Sequence, residues 1–371
     1  MRISILTSSR ADFGIYLPLL KEIQNHKEIQ ADIIVFGTHL SYFHGYTLSD
    51  ILDSGFQPFT CIETIMAGDS PNSLSTSTGL TILKFAEFWK NYTGVYDFVI
   101  CLGDRYEMFA AVTAGIPFNI KFAHIHAGEE TAGAIDNVYR HCITHASSIF
   151  FTSTAENASR VVALTNKTED IFNVGALSLD SLQDFEPFTT SEFKNRYNFD
   201  LNTQFVLFTF HPETVNYLKN EIYCLQIIDA LKKLTHYNVL ITMPNADTAG
   251  NTVRKLLVDY LGELPNFFLV ESLGLKGYFT AMKECSFVLG NSSSGILEAA
   301  SFCKYVINLG DRQKGRTTGE NVIHAEIIEK EITDCILYVE SLPAYSGENI
   351  YWNGGAAKTI LKVLTTHYEK L

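Results

Sequence analysis

Short apolar runs alternate with longer amphipathic stretches along the 371-residue chain. The runs are Ile3–Leu6, Ile33–Phe36, Phe98–Leu102, Phe122–Ile125, Ile149–Thr152, Phe205–Phe210, Val239–Met243, Phe267–Val270, Phe287–Leu289 and Tyr305–Leu309. Short strands that are apolar throughout are buried on both faces, and strands separated by helices pair in parallel. The pattern therefore predicts an α/β fold in which helices cover both faces of parallel sheets.

The alternation is interrupted between Gly175 and Leu201, where the sequence is polar and acidic and contains no clear strand. We therefore predict two doubly wound, Rossmann-like domains, which span residues 1–180 and 181–355. A final helix is predicted over Ala356–Tyr368, after the turn-like sequence Asn-Gly-Gly. If the two domains face a central cleft, the carboxyl ends of both sets of strands meet there, where ligands bind in this architecture.

Charge and cysteine usage exclude several classes of protein. The formal net charge is −13, from 28 Lys and Arg against 41 Asp and Glu, which argues against a nucleic-acid binder but allows an anionic small ligand. No apolar stretch is long enough for a membrane span, and the first residues do not resemble a signal peptide. The seven cysteines are scattered without any CxxC spacing. We expect free thiols in the cytoplasm and no metal site.

Charged residues follow the strand ends of the first half. Arg10 lies at the first strand-to-helix turn, where it suits an anion, although a capped helix with a solvated arginine explains it equally well. Asp104 and Arg105 come directly after Phe98–Leu102. They could form a surface ion pair, but their position at a strand end favours a role in an active site.

The segment after Phe122–Ile125 is rich in titratable side chains. His126, Glu129 and Asp136 lie here, and strand alternation would place His124 and His126 on one face. A structural histidine is the ordinary interpretation of either one alone. The density of His, Glu and Asp favours acid–base chemistry, while the missing HExxH pattern disfavours a metal.

Two segments of the second half suit a phosphate. Ser292 and Ser293 lie where a helix is predicted to begin, and Glu298 one turn later could accept hydrogen bonds from a ribose. The segment is not a Walker A loop, and a well-capped helix is the alternative. The segment from Gly310 to Arg316 carries three cations, among them Arg312, which would suit a diphosphate; a solvated loop is the alternative.

Eight segments between residues 8 and 322 together resemble the UDP-N-acetylglucosamine 2-epimerase family, in particular its hydrolysing branch. The segments are SRADFG, LGDRYE, HIHAGE, IDNVYRHCIT, HPET, PNADTAG, GNSSSG with Glu298, and NLGDRQKGR with TGENV. Non-hydrolysing relatives typically carry His-Arg-Glu-Asn where this chain has HPET. Their opening segment usually reads Gly-Thr-Arg-Pro-Glu, which also differs from this chain.

The resemblance implies a glycosyltransferase-B-like fold with a UDP-sugar between the domains and the helix over 356–371 packed on the first. It implies Asp104 and Asp136 as catalytic carboxylates and His211 as a contact near the reacting centre. Relatives often carry a catalytic Glu where this chain has His126, so either His126 or Glu129 would take that role. The implied substrate or nucleotide contacts are Arg10, Arg105, Asn245, Asp247, Ser292, Ser293, Glu298 and Arg312.

The implied reaction converts UDP-N-acetylglucosamine and water to UDP and N-acetylmannosamine through a glycal, in the synthesis of sialic-acid-like nonulosonates. It has no net redox step, so no cofactor is expected. Alternatives are a UDP-2,4-diacetamido-trideoxy sugar or a GDP-sugar as substrate, as in a legionaminic acid pathway, a non-hydrolysing epimerase, a glycosyltransferase, and a non-catalytic UDP-sugar sensor. The family often forms oligomers, so a homodimer or homotetramer is expected.

Overall fold

The chain divides into two compact units. The computed structural model describes residues 1–42, 45–68, 70–131, 135–183, 185–213, 217–244 and 250–370. Unit 1 comprises Met1–Glu129, Asp136–Gln183 and Tyr351–Leu371. Unit 2 comprises Glu130–Ile135 and Asp184–Ile350. The short segment of unit 2 that interrupts unit 1 has no counterpart in the sequence-based boundaries.

Unit 1 contains a seven-stranded sheet in which every pair of neighbours is parallel. Its strands are β1 (Arg2–Thr7), β2 (Gln30–Phe36), β3 (Thr60–Ile62), β4 (Phe98–Leu102), β5 (Phe122–Ile125), β6 (Ile149–Thr152) and β7 (Ile171–Asn173). The helices between them are α1 (Arg10–Gln24), α2 (Leu48–Asp53), α3 (Pro71–Tyr92), α4 (Tyr106–Gly115), α5 (Asp136–Ala146) and α6 (Ala155–Thr165). The strand order is β3-β2-β1-β4-β5-β6-β7, so the topology reverses between β1 and β4.

The two faces of this sheet bury separate apolar clusters. Ile100 of β4 lies in the cluster that includes Phe13 of α1, whereas its neighbour Val99 lies with Trp89 of α3 on the other face. Successive side chains of a strand point to opposite faces, so a strand covered on both sides must be apolar at every position. This requirement produces the uninterrupted apolar runs of the sequence.

Unit 2 repeats this architecture with six parallel strands. They are β8 (Phe205–Thr209), β9 (Asn238–Thr242), β10 (Phe267–Val270), β11 (Val288–Gly290), β12 (Val306–Leu309) and β13 (Val322–Ala325), in the order β10-β9-β8-β11-β12-β13. The helices are α7 (Thr190–Tyr197), α8 (Asn220–Leu231), α9 (Gly250–Leu261), α10 (Gly274–Glu284), α11 (Ser293–Leu297) and α12 (Glu329–Ser341). Apolar clusters again cover both faces of the sheet.

The predicted α/β class with two doubly wound units is confirmed, and each predicted apolar run falls on a strand. Three strands were missed, namely β3, β7 and β13, and each is an edge strand of its sheet. Their sequences TCI, IFN and VIHA are only partly buried. An edge strand pairs on one side only and is less covered, so it needs no continuous apolar run.

The last helix, α13 (Ala356–Tyr368), packs against α1 through Ile360 and Leu364. The carboxylate of Asp180 accepts hydrogen bonds from the first two backbone N–H groups of α13, at 3.0 and 2.7 Å. A carboxylate at this position satisfies unpaired N–H donors and complements the helix dipole. The acidic stretch that interrupts the strand pattern therefore supplies the cap for a helix much later in the chain.

Candidate active site

In unit 1 the polar loops lie at the carboxyl ends of three neighbouring strands. Because β4 pairs with β5 and β5 with β6, the segments that follow them meet at one edge of the sheet. These segments contain Asp104, then His126 and Glu129, and then Ser153. The parallel topology therefore gathers the predicted catalytic side chains of this unit.

A tight turn follows β5. The strand ends at Ile125, and His126 takes a left-handed backbone conformation with φ of +63°, which is uncommon for a residue other than glycine. Gly128 has φ of +72°, and a Cβ there would lie 2.3 Å from the backbone oxygen of Asn157. Because His126 lies beyond the strand, the expectation that alternation places it on one face with His124 was wrong. Instead, the turn folds Glu129 back towards His126.

His126 and Glu129 form a buried pair. The Nδ1 atom of His126 lies 2.8 Å from Oε1 of Glu129, and the hydroxyl of Ser153 donates a hydrogen bond of 2.6 Å to the same oxygen. All three side chains are buried. Sequence reasoning treated His126 and Glu129 as alternatives for one role, whereas the structure pairs them.

Arg140 lies between two of the predicted acidic groups. Its side chain is only 2% exposed; Nη2 donates to Oδ2 of Asp104, and Nη1 lies 4.0 Å from Oε2 of Glu129. Asp136 begins α5 and lies one turn before Arg140 on that helix. The sequence contained one signal for Arg140, which is a cation four residues after a candidate catalytic Asp, but we predicted no role for it.

His124 has a structural environment. It is fully buried on β5, its Nε2 lies 3.0 Å from the backbone oxygen of Gly103, and its Nδ1 lies 3.2 Å from the hydroxyl of Thr144. Burial is the main cause that lowers the pKa of His124 to about 3. The ring therefore stays neutral and joins Gly103, just after β4, to Thr144 of α5.

We expect His124 to make the stability of unit 1 depend on pH. In the unfolded chain a histidine binds a proton below about pH 6.5, whereas folded His124 does so only near pH 3, so stability falls as the pH is lowered between these values. Lowering the pH from 7 to 5 reduces the free energy of unfolding by about 2 kcal/mol through this group. Urea unfolding at both pH values measures this loss of stability. The loss should be smaller by that amount in His124→Asn than in the wild type. Equal losses in wild type and His124→Asn would contradict the assignment.

In unit 2 the side chain of Asn291 joins two loops. It accepts a hydrogen bond of 2.7 Å from the backbone N–H of His211 and donates one of 2.8 Å to the backbone oxygen of the same residue. Asn291 is fully buried and directly follows β11, while His211 lies just beyond β8. The predicted substrate contact His211 is thus held at a fixed position beside the serine-rich turn.

Hydrogen bonds also hold the loop after β12 beside Asn291 and the segment that follows β8. Glu213 is buried and accepts a hydrogen bond of 2.8 Å from the backbone N–H of Asp311. Arg312 and Gln313 both donate to the backbone oxygen of Asn291, at 3.1 and 3.0 Å. The sequence did not reveal the roles of Glu213, Asn291 and Gln313, because each binds backbone atoms of a segment that is distant in the chain.

The serine-rich turn begins a short helix. Ser292 is the N-cap of α11, where its hydroxyl accepts from the backbone N–H of Ser294 at 3.4 Å, and α11 has five residues. Ser292 and Ser293 are half-buried, whereas Glu298 is buried just beyond the last residue of α11. The structure thus brings four predicted contacts of this unit together, namely His211, Ser292, Ser293 and Arg312.

Gly290 ends β11, directly before Asn291, and the backbone there leaves no room for a side chain. Its φ is +137°, and a Cβ would lie 1.9 Å from the backbone oxygen of Thr209. We expect Gly290→Ala to lower the free energy of unfolding by about 3 kcal/mol, because the backbone is strained and must shift. Gly79→Ala is the matched control: it lies on an exposed face of α3 with no atom within 4 Å, and it should stabilise by about 1 kcal/mol. Similar melting curves for the two variants would contradict this account.

Two of the other predicted substrate or nucleotide contacts, Arg10 and Arg105, lie in unit 1. Arg10 is exposed at the first position of α1. Arg105 donates two hydrogen bonds, of 3.2 and 2.9 Å, to the buried carboxylate of Glu107. Asn245 and Asp247 lie outside the described residues.

Comparison with known proteins gives the family. The sequence profile described as UDP-N-acetylglucosamine 2-epimerase matches residues 21–365. The chain belongs to this family. It is 31% identical over 365 residues to a hydrolysing UDP-N,N'-diacetylbacillosamine 2-epimerase from Legionella pneumophila, which covers 98% of this chain and 96% of that protein.

One further relative of this epimerase chain supports the family, and one solved structure shows the same fold. A hydrolysing GDP/UDP-N,N'-diacetylbacillosamine 2-epimerase from Campylobacter jejuni is 31% identical over 88% of this chain and 84% of its own length. The crystal structure of the Neisseria meningitidis UDP-GlcNAc 2-epimerase, bound to UDP-GlcNAc, has a TM-score of 0.82 at 20% identity, covering 99% of this chain and 100% of that one. The predicted family, its hydrolysing branch and the predicted enzyme class are confirmed.

Within the described residues, no His, Cys, Asp and Glu side chains form a group of three or more that could hold a metal ion. No helix in the same part of the chain is long and apolar enough to cross a membrane.

Proposed function

We propose that the protein hydrolyses a UDP-2-acetamido sugar with inversion at C2, releasing UDP and the free manno-configured sugar. The observation that carries this proposal is the connected arrangement Asp104–Arg140–Glu129–His126 at the carboxyl edge of the unit 1 sheet. It combines two carboxylates, an imidazole and one cation, of which all but the partly exposed Asp104 are buried. Such groups suit proton transfer at carbon, because burial strengthens electrostatic interactions and positions the acid and the base.

The chemistry requires proton transfer on both faces of the sugar ring. In the first step a base removes the C2 proton, the C1–O bond breaks, and UDP leaves with the bonding electrons. In the second step water adds at C1 and an acid returns a proton to C2 from the opposite face. Asp104, Asp136 and the His126–Glu129 pair are the candidates for these transfers.

We assign the nucleotide contacts to loops that carry hydroxyls, N–H groups and cations. Ser292 and Ser293 lie where α11 begins after β11, Glu298 lies just beyond the end of α11, and Arg312 lies on the loop after β12. Hydrogen bonds of Asn291 and Glu213 fix the loop after β12. Exposed Arg10 adds positive charge at the first strand-to-helix turn of unit 1, whereas the charge of Arg105 is paired with Glu107 and its guanidinium offers N–H donors. Cations and helix N–H donors stabilise the charge that develops on a departing diphosphate.

We favour UDP-N-acetylglucosamine as substrate, which would make the product N-acetylmannosamine, a precursor of sialic-acid-like nonulosonates. UDP-N,N'-diacetylbacillosamine is the second candidate, because two relatives at 31% identity carry that substrate in their names. We also expect a cytoplasmic homodimer or homotetramer; light scattering of the purified protein measures its mass in solution.

The test offers both UDP-sugars and the matching GDP-sugar in water enriched in ¹⁸O, followed by mass spectrometry. We expect UDP without the label and a free manno-sugar that carries ¹⁸O at C1, because the C1–O bond breaks and water supplies the new hydroxyl. Label in the UDP instead would show attack at phosphorus and would overturn the proposal. The preferred sugar nucleotide decides between the two candidate substrates.

A further inference from the structure

A continuous series of hydrogen bonds leads from Arg160 to His126 within unit 1. Arg160 Nη1 donates to Oδ1 of Asn157 at 3.1 Å, and Asn157 Nδ2 donates to the hydroxyl oxygen of Ser153 at 3.0 Å. The Ser153 hydroxyl donates to Oε1 of Glu129 at 2.6 Å, and that oxygen lies 2.8 Å from Nδ1 of His126. Ser153 and Asn157 were not among the residues that the sequence singled out.

The direction of each bond in this series follows from its first member. A guanidinium can only donate, so the atom of Asn157 that faces Arg160 is its oxygen. The amide nitrogen of Asn157 must then face Ser153 and donate to it. The hydroxyl of Ser153 has one hydrogen, which is therefore free to point at Glu129. Arg160 is itself fixed, because Nη1 also donates to the backbone oxygen of Gly128 at 2.7 Å.

The last bond then determines the tautomer of the imidazole. Glu129 accepts from Ser153, and its other oxygen faces Nη1 of buried Arg140 at 4.0 Å, which favours the ionised carboxylate. An ionised carboxylate can only accept, so Nδ1 of His126 carries the hydrogen. In the neutral ring Nε2 is then an unprotonated base. Nε2 is buried and makes no hydrogen bond with any residue that the structure describes.

We propose that Ser153, Asn157 and Arg160 are positioning residues that hold His126 in the Nδ1-protonated tautomer, so that Nε2 is the atom that accepts or returns a substrate proton. The proton transfer rests on the proposed function, whereas the tautomer does not depend on any substrate. A carboxylate that orients an imidazole and stabilises its charged form is a general device of acid–base catalysis. Here the carboxylate is itself oriented by three residues on or next to α6.

Nitrogen NMR of the full-length protein labelled with ¹⁵N-histidine tests the tautomer. The signals of His126 are identified by their loss in His126→Gln. In the wild type we expect a pyrrole-type shift at Nδ1 and a pyridine-type shift at Nε2 while the ring is neutral. Ser153→Ala leaves Glu129 ionised beside Arg140 but removes the donor that holds Oε1 beside Nδ1, so the ring is no longer fixed against the carboxylate. The signals should then become those of a mixture of tautomers, and kcat should fall about tenfold with little change in KM, because one hydrogen bond to a charged group is lost. Ser147→Ala, which removes another buried hydroxyl of unit 1, should leave both readouts unchanged.

A second variant covers the case in which Ser153→Ala does not fold. Asn157→Asp keeps the shape and the contact with Arg160 but removes the Nδ2 donor, so the Ser153 hydrogen can turn away from Glu129. We expect the same mixture of tautomers, whereas Asn166→Asp at the exposed end of α6 should leave the wild-type signals. A pyridine-type Nδ1 in the wild type, or an unchanged tautomer in the variants, would overturn the proposal. The predicted tautomer with no turnover of any sugar nucleotide would instead overturn the proposed function and leave the tautomer assignment intact.

Discussion

Asp104→Asn is expected to lower kcat by about 10³-fold while UDP still binds with nearly wild-type affinity. Asparagine keeps the volume of aspartate and an oxygen that can accept from Arg140, but it cannot take up or release a proton at neutral pH. Removing a positioned acid or base typically costs two to four orders of magnitude in rate, about 10²–10⁴. The side chain of Asp104 is 27% exposed, the most accessible of the connected group, so a ligand can reach it.

Steady-state release of UDP measures the rate of this variant, and calorimetry measures UDP binding. Asp97→Asn is a matched control, because Asp97 lies just before the opposite end of the same strand, where it accepts from the backbone of Arg2. The control should keep wild-type kcat. Unchanged turnover in Asp104→Asn would remove Asp104 from the mechanism, and lost UDP binding would make it a nucleotide contact.

Arg140→Gln should lower the free energy of unfolding by about 3 kcal/mol and abolish most turnover. Arg140 is buried between the carboxylates of Asp104 and Glu129. Without its charge Asp104 and the buried Glu129 lose their shared cation, and removing one partner of a buried ion pair costs about 3–5 kcal/mol. The same change removes the charge that favours ionised Glu129, and with it the orientation of His126.

Chemical unfolding compares this variant with Arg254→Gln. Arg254 forms an ion pair with Glu271 on the surface of unit 2, and such exposed pairs contribute about 0–1 kcal/mol. We therefore expect a large loss of stability in Arg140→Gln and a small one in the control. Equal, small losses in both would show that Arg140 is not the central cation of a buried network.

The positions of the candidate site could be predicted from the sequence because a parallel sheet imposes them. Continuous apolar runs such as Phe98–Leu102 had to be buried strands, and residues directly after them had to lie at one edge of the sheet. Asp104, His126 and Glu129 were identified in this way. Their assigned roles came from the family resemblance, which neither burial nor periodicity could supply.

Apart from the local pair His126–Glu129, the partners of these side chains could not be predicted, because the contacts join segments that are distant in the sequence. Ser153 reaches Glu129 only since β5 and β6 are neighbours, and Asn291 reaches the backbone of His211 only since β8 pairs with β11. Nothing local marks such residues, as serine and asparagine are common in turns. The left-handed conformation of His126 was also not predicted, because a histidine carries no local signal for a positive φ.

The central claim is tested most directly by proton NMR of the purified protein with UDP-N-acetylglucosamine in deuterated water. Removal and return of the C2 proton exchange it with solvent, so the account predicts that UDP is released together with N-acetylmannosamine carrying deuterium at C2. The same run with UDP-N,N'-diacetylbacillosamine covers the second substrate. Release of a sugar that keeps its original proton and configuration at C2 would show simple hydrolysis and would contradict the account.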